Sequence, residues 1–277
     1  VAVVVPFAGC DEQLETLRWR LAGLALREDD ELVIADNRSG AVASEAGDPL
    51  AVTAPPRVLR AAGIAAPAFA RNRGVEATSA PWLVFLDADV IPPSDLLEAY
   101  FVPLPAAGTA ILAGGIRDVP PRRPGLAGRR AVAGARLADA ITLERPVFPY
   151  AQSANCAIRR DAFTAVGGFD ETARAGEDAD LCFRLAARGF GLERRERACV
   201  EHPARANLRM ALHQLALHGA GAAWCEARHP GSFPPPRPRA LLGRAARSLR
   251  RGDGLDLLHM AAFEFGRRRS NRPRRTD

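Results

Sequence analysis

Five apolar residues, Trp82-Leu83-Val84-Phe85-Leu86, run straight into Asp87-Ala88-Asp89. An apolar run of this length reads as a strand buried on both faces of a parallel sheet. Open sheets of that kind place their ligands beyond the carboxyl ends of the strands. Two carboxylates two positions apart at such an end contribute little to folding. They suit a hard divalent cation, and such a cation suits a phosphate. The alternative is a solvated pair that ends the strand and caps a helix starting near Ser94.

The flanking pattern fits the same architecture. Residues 1–6 read as a first strand, and Leu14, Leu17, Leu21 and Leu24 fall on one face of a helix over residues 11–25. Strands are expected at residues 31–35 and 50–53. A helix is expected over 67–78, with Pro67 at an early position, and another over 93–101. This alternation predicts a mainly parallel sheet with helices on both faces. A strand is expected at 110–113, ending at Gly114-Gly115, and a Pro/Arg/Gly-rich loop at 120–130. Regular pattern returns as a strand at 155–159 and helices at 161–166, at 177–188, closed by Gly189, and at 207–228. Pro234-Pro235-Pro236 then breaks the chain before a second helical, Arg-rich piece. The expected division is one domain over residues 1–230 and an extension over 231–277.

Composition narrows the class. The 277 residues are 48% hydrophobic, enough for a sizeable core, and no run approaches the roughly 18 apolar residues of a spanning helix. Residues 1–6 lack the features of a secretory leader, so a cytoplasmic location is the expectation. The formal charge of +6 is uneven: residues 234–277 hold 12 Arg against 4 acids, and the rest of the chain is slightly acidic. Such a tail suits peripheral contact with anionic lipid at the inner membrane face. Nucleic acid is not the expected partner. Residues 267–275 have no interleaved aromatics, which equally suits a solvated end. The five cysteines are scattered without a C-x-x-C pair, against a disulfide framework or zinc site.

Further acids and bases gather in recognisable patterns. Glu177, Asp178 and Asp180 crowd a helix start, where the macrodipole favours acids. The apolar residues after them pin that helix to a core, so Glu177 or Asp178 is expected to face the same sheet edge as Asp87 and Asp89. A carboxylate beside a metal-bound diphosphate can take a proton from an attacking hydroxyl. His202 is the candidate third metal ligand, against the ordinary reading of a surface histidine. Asp36, ending the second strand, can accept hydrogen bonds from a base or ribose; it also suits an Asx turn shared with Asn37 and Ser39. Arg71 can pair with a phosphate, against the ordinary reading of a salt-bridged surface arginine.

Taken in order, seven segments resemble the family 2 glycosyltransferases of the GT-A fold. They are Val3-Val4-Val5-Pro6, Ala35-Asp36-Asn37-Arg38-Ser39, Ala70-Arg71-Asn72-Arg73-Gly74, Phe85-Leu86-Asp87-Ala88-Asp89, Asn155-Cys156-Ala157-Ile158-Arg159-Arg160, Val166-Gly167-Gly168-Phe169-Asp170-Glu171 and Gly176-Glu177-Asp178-Ala179-Asp180-Leu181. The resemblance covers roughly residues 1–205. It implies a Rossmann-like mixed sheet, mainly parallel, with helices on both faces and a helical C-terminal extension. It implies that Asp36 reads the nucleobase, with Pro6 and Phe7 lining the same pocket. Asp87 would contact ribose or diphosphate, and Asp89 and His202 would hold Mn²⁺ or Mg²⁺. Asp178 would be the general base, with Glu177 the second candidate, while Arg71 and Asn155 line the donor and acceptor space. The implied reaction is inversion at the anomeric carbon of a UDP-, GDP- or dTDP-sugar by an acceptor hydroxyl. The acceptor-side signature of processive polymerases is missing, which favours transfer of a single sugar.

Rival readings are weaker on residue grounds. A haloacid-dehalogenase-type phosphatase also carries D-x-D after a strand, but near its start and with a downstream Lys, and this chain has no Lys. A dehydrogenase would need G-x-G-x-x-G after the first strand. A non-catalytic nucleotide-sugar-binding protein would have no need of Asp87, Asp89 and Asp178 together.

Overall fold

A computed structural model describes residues 1–39, 56–120, 138–204 and 207–275. The expected strand at 50–53 lies outside the described residues, as does almost all of the expected loop at 120–130. The main sheet has seven strands. Strands β1 (Ala2–Phe7), β2 (Glu31–Asp36), β3 (Arg57–Arg60) and β5 (Trp82–Leu86) are mutually parallel. Strand β7 (Asn155–Arg159) runs antiparallel between β5 and β6 (Thr109–Val119), and β8 (Gly191–Pro203) closes the edge parallel to β6. The order is β3-β2-β1-β5-β7-β6-β8, and a short β4 (Ile64–Ala65) lies outside this sheet.

Two-residue alternation along the strands builds a core on each face. Val3, Val5, Val84 and Leu86 pack against Leu17 and Leu21 of α1 (Asp11–Leu21) and against Leu96 and Tyr100 of α3 (Leu96–Phe101). Ala2, Val4, Leu83 and Phe85 face the other way, toward α2 (Pro67–Glu76), α5 (Arg160–Ala165) and α6 (Glu177–Ala187). Helix α2 lies so close to the sheet that a Cβ at Gly74 would collide with Val4. A further short helix, α4 (Ala138–Leu143), precedes β7.

Strand β6 is much longer than the segment 110–113 expected from sequence, and Gly114-Gly115 sits inside it. The pairing with β8 jumps there: Gly114 faces Arg195, and Gly115 faces Cys199. The intervening residues bulge from the ladder and leave carbonyls unpaired. Asn155 answers them. Its fully buried amide donates to Gly115 O and Ala198 O, both at 2.8 Å, and its Oδ1 accepts from the Tyr100 hydroxyl at 2.7 Å. A side chain at Gly114 would occupy that space. The sequence reads a strand leading to His202, but the first part of β8 had little signal because Glu193-Arg194-Arg195-Glu196-Arg197 is charged, as suits a sheet edge.

The C-terminal part folds back on the body. Helix α7 (Leu208–Arg228) is followed by α8 (Pro238–Arg250) and α9 (Gly254–Gly266). Helices α7 and α9 cross at Gly219 and Gly266, where a Cβ on either would strike the other helix's backbone. Residues 267–275, which the sequence equally allowed as a solvated end, finish as β9 (Arg274–Arg275), antiparallel to β4. The five cysteines are free.

Replacing Asn155 by Ala strands two buried carbonyls and a hydroxyl, so Asn155→Ala should lose on the order of 3 kcal/mol of unfolding free energy. Urea unfolding measures it, and a loss below about 1 kcal/mol would show that water replaces the amide.

Candidate active site

The carboxyl edge of the parallel strands collects the residues singled out from sequence. In register, Pro6 lies opposite Ala35 and Phe7 opposite Asp36, so the ends of β1 and β2 form one wall. Asp36 is buried, and Arg38 grips it: the guanidinium Nε lies 3.0 Å and Nη2 2.8 Å from its oxygens. The Arg38 backbone N–H also donates to Asp36 Oδ1 at 3.1 Å, which is the Asx-type turn allowed by the sequence. Burial opposes the charged carboxylate, but the Arg38 contacts outweigh it and hold the pKa below its usual value. Arg38 also reaches Asp11 and lies 5.4 Å over the Phe7 ring. Neighbouring Asn37 is buried; its side chain donates to Ala61 O and Ile64 O and accepts from the Ala66 N–H, fixing the segment that leads into α2.

Beside this wall, Arg71 joins two distant segments. It is 2% exposed, and it donates to Asp87 Oδ1 at 2.6 Å and to Glu177 Oε1 at 2.8 Å. Its guanidinium lies 5.5 Å over Phe169, and its buried Nε has no hydrogen-bond partner among the described residues. The two sequence motifs are thereby one spatial cluster. Glu177 is buried in this bridge, whereas Asp178 is half-buried; its Oδ1 accepts the Ala179 N–H at 2.8 Å, and the Ser153 backbone also bonds to it. Burial pushes the Glu177 carboxyl up to about 7, with Asp178 adding and Arg71 opposing. Burial raises Asp178 as well, against its backbone hydrogen bonds and Arg71, and the Asp87 charge adds to the rise.

Asp89 is brought to His202 by backbone pairing. Ile91 N donates to Glu201 O at 2.7 Å and Glu201 N to Ile91 O at 3.0 Å, an antiparallel bridge just beyond the D-x-D turn. His202 Nε2 lies 3.5 Å from Asp89 Oδ2, and its Nδ1 lies 2.9 Å from Asp118 Oδ1. The Asp118 and Asp89 bonds raise the imidazole to about 10, outweighing burial. Among the described residues no three His, Cys, Asp or Glu side chains are gathered into a metal cluster.

The arrangement differs from the sequence reading in emphasis. Arg71 is salt-bridged to carboxylates but buried, unlike the surface arginine of its alternative reading, and Asn155 stands behind the edge as a support of the sheet. Asp118 was missed: its meeting with His202 depends on the β6–β8 register beyond the bulge, for which no sequence signal exists. Asn72 was quoted only as part of a motif. It grips the backbone of Phe169, donating to its O at 2.9 Å and accepting from its N–H at 3.1 Å. A cavity of about 810 Å³ opens elsewhere, between α7 and residues 269–275, and none of the acids above lines it.

Glu177 binds its proton more tightly folded than unfolded. Its contribution to stability is whole below the unfolded value of 4.5 and drains away as the pH rises through about 7. Thermal unfolding of Glu177→Gln should therefore fall less steeply across that window than wild type. An unchanged slope would show that Glu177 titrates as it does in the unfolded chain.

Comparison with known proteins follows the geometry. The family model described as glycosyl transferase family 2 matches residues 2–167. Pre-mycofactocin glycosyltransferases from two strains of Mycobacterium tuberculosis are each 32% identical over 240 residues, 85% of this chain and 49% of theirs. The chain thus spans about half the length of these curated relatives. A mannosyltransferase from Pyrobaculum calidifontis, solved with GDP-Man and Mn²⁺, is similar in fold (TM-score 0.60, 16% identity, 94% of this chain and 85% of that one). So is glucosyl-3-phosphoglycerate synthase from Mycobacterium tuberculosis, solved with Mg²⁺ and uridine diphosphate (TM-score 0.54, 18% identity, 82% and 78%). No helix among the described residues is long and apolar enough to cross a membrane.

Proposed function

Because this chain belongs to the family 2 glycosyl transferases, we propose that it moves one sugar from a nucleotide-diphosphate sugar to an acceptor hydroxyl, inverting the anomeric carbon. The observation that carries this is the Asp87–Arg71–Glu177 bridge, which brings the D-x-D turn and the acidic start of α6 side by side. The complexes of its structural neighbours with GDP-Man and UDP support a nucleotide-linked donor. Membership of the family leaves the phosphatase reading without support.

Donor binding is assigned to the wall formed by Pro6, Phe7 and Asp36, with Asp87 toward the ribose or diphosphate. Arg71 holds Asp87 in place, and Asn155 supports the sheet behind it. The residues present also fit a divalent cation, provided it displaces the proton that His202 holds between Asp89 and Asp118. Asp89 is half exposed, His202 Nε2 faces it, and Asp118 on the other ring nitrogen orients the imidazole, as carboxylates do behind metal-bound histidines. One carboxylate oxygen and one imidazole nitrogen leave room for diphosphate oxygens, in keeping with Mn²⁺ or Mg²⁺. Such a cation supplies positive charge against the charge gathering on the leaving diphosphate.

Asp178 is the better general base. Glu177 spends its carboxylate on Arg71, whereas Asp178 is more open and is oriented by two backbone N–H groups. The acceptor oxygen attacks the anomeric carbon, the bond from that carbon to the diphosphate oxygen breaks, and the acceptor proton passes to Asp178. Contact of the Arg-rich α8 with an anionic membrane surface belongs to the same proposal, as a way of meeting an acceptor there.

A donor screen with UDP-, GDP- and dTDP-sugars tests the reading by nucleoside diphosphate release with Mn²⁺. Asp178→Asn should keep donor-induced thermal stabilisation and lose turnover by about 10²–10⁴-fold. Asp89→Ala should lose the metal-dependent part of that stabilisation. Normal turnover by Asp178→Asn would remove the base assignment, with Glu177 next to be replaced.

A further inference from the structure

Helix α6, which carries Asp178, begins without a cap of its own. Its N-cap is Gly176, at φ +85° and with no side chain to satisfy the first turn. The loop before it must be held from outside, because the direction of a carboxylate in the first turn follows the direction of the helix start. Three grips hold it. Asn72 of α2 binds the backbone of Phe169 at the loop's beginning. Gly221 and Cys225 of α7 abut Gly176 so closely that a Cβ there would lie about 3 Å from both, and Cys225 Sγ lies 3.3 Å from Gly176 O.

The third grip comes from the end of the chain. Asn271, 7% exposed, accepts the Ala175 N–H on Oδ1 at 3.1 Å and donates from Nδ2 to Ala175 O at 2.9 Å. Its own carbonyl accepts the Arg174 N–H at 2.8 Å. An amide side chain here replaces a neighbouring strand, and three hydrogen bonds fix three successive peptides. Three residues further on, β9 pairs with β4, and Ile64 of β4 is itself bound by Asn37, next to Asp36. The tail therefore ties the wall that carries Asp36 to the loop that aims Asp178.

We infer that Asn271 is a positioning residue for proton abstraction, and that residues 271–275 form a strap holding the base-bearing helix in register with the donor side. This rests on the assignment of Asp178 as base. The Asn271 bonds themselves reach only Arg174 and Ala175, on the base side, so their loss falls on the chemical step. A displacement of the base by a fraction of an ångström is enough to slow turnover markedly.

The test compares wild type, Asn271→Ala, Asn271→Asp and Asp178→Asn, each measured for kcat and donor KM and for thermal stabilisation by nucleoside diphosphate with Mn²⁺. Asn271→Ala is expected to lower kcat about tenfold or more, with donor KM within about twofold and stabilisation by the nucleotide retained. Asn271→Asp keeps the acceptor for Ala175 N–H but loses the donor to Ala175 O, and is expected to lie between. If Asn271→Ala does not fold, Asn271→Asp alone carries the test. Wild-type kcat in the folded Asn271 variants beside an inactive Asp178→Asn overturns the strap and leaves the base assignment standing. Wild-type turnover by Asp178→Asn overturns the base assignment itself. A rise in donor KM at unchanged kcat also overturns the inference, placing Asn271 in donor binding.

Discussion

One buried guanidinium organises the acidic edge of this sheet. Arg71 lies out of water between Asp87 and Glu177, residues separated by 90 positions in the chain. Burial alone would push its proton off, but the surrounding carboxylates keep it charged and raise its pKa. A cation desolvated in this way is tolerable only where its partners are fixed, and a partner without its cation is costly in turn. The bridge therefore specifies a geometry more than it adds stability. It holds the turn after β5 and the start of α6 at one mutual distance, and it engages Glu177 so that Asp178 is the acid left more open.

The second constraint is a mismatch in the sheet. The β6–β8 ladder cannot continue in one register from Thr109 to Val119 because residues of β8 are left over after Arg195. Asn155 satisfies the carbonyls so released, and beyond the irregularity Asp118 stands opposite His202. The bulge thus re-aims a charged edge strand so that an imidazole points at Asp89 with a carboxylate behind it. Asn155 reaches the site through this support of the sheet, at a place where its amide is consumed by backbone groups.

Much of this was legible in the chain. The alternation of apolar runs and amphipathic segments gave β1, α1, β2, α2, β5 and α3 in order but not β3 or β4, because buried parallel strands and one-faced helices need distinct residue patterns that those two short strands lack. The seven motifs placed Asp36, Asp87, Asp89, Glu177 and Asp178 on one edge. Less legible were the segments with no periodicity to read. Strand β8 is charged, β6 hides two glycines in its interior, and Asn271 sits in an Arg-rich stretch that resembles a solvated tail. In each of these the decisive partner is far away in sequence.

The sequence by itself determined the class of sheet, the edge that collects the acids and the residue types available there, since local periodicity and strand-end position are properties of short segments. Only the tertiary structure decided which carboxylate Arg71 takes and which it leaves, that Asp118 backs His202, and that the last residues clasp the loop before Gly176. Those outcomes depend on register and on competition for buried hydrogen bonds. Both are settled when distant segments exclude water together.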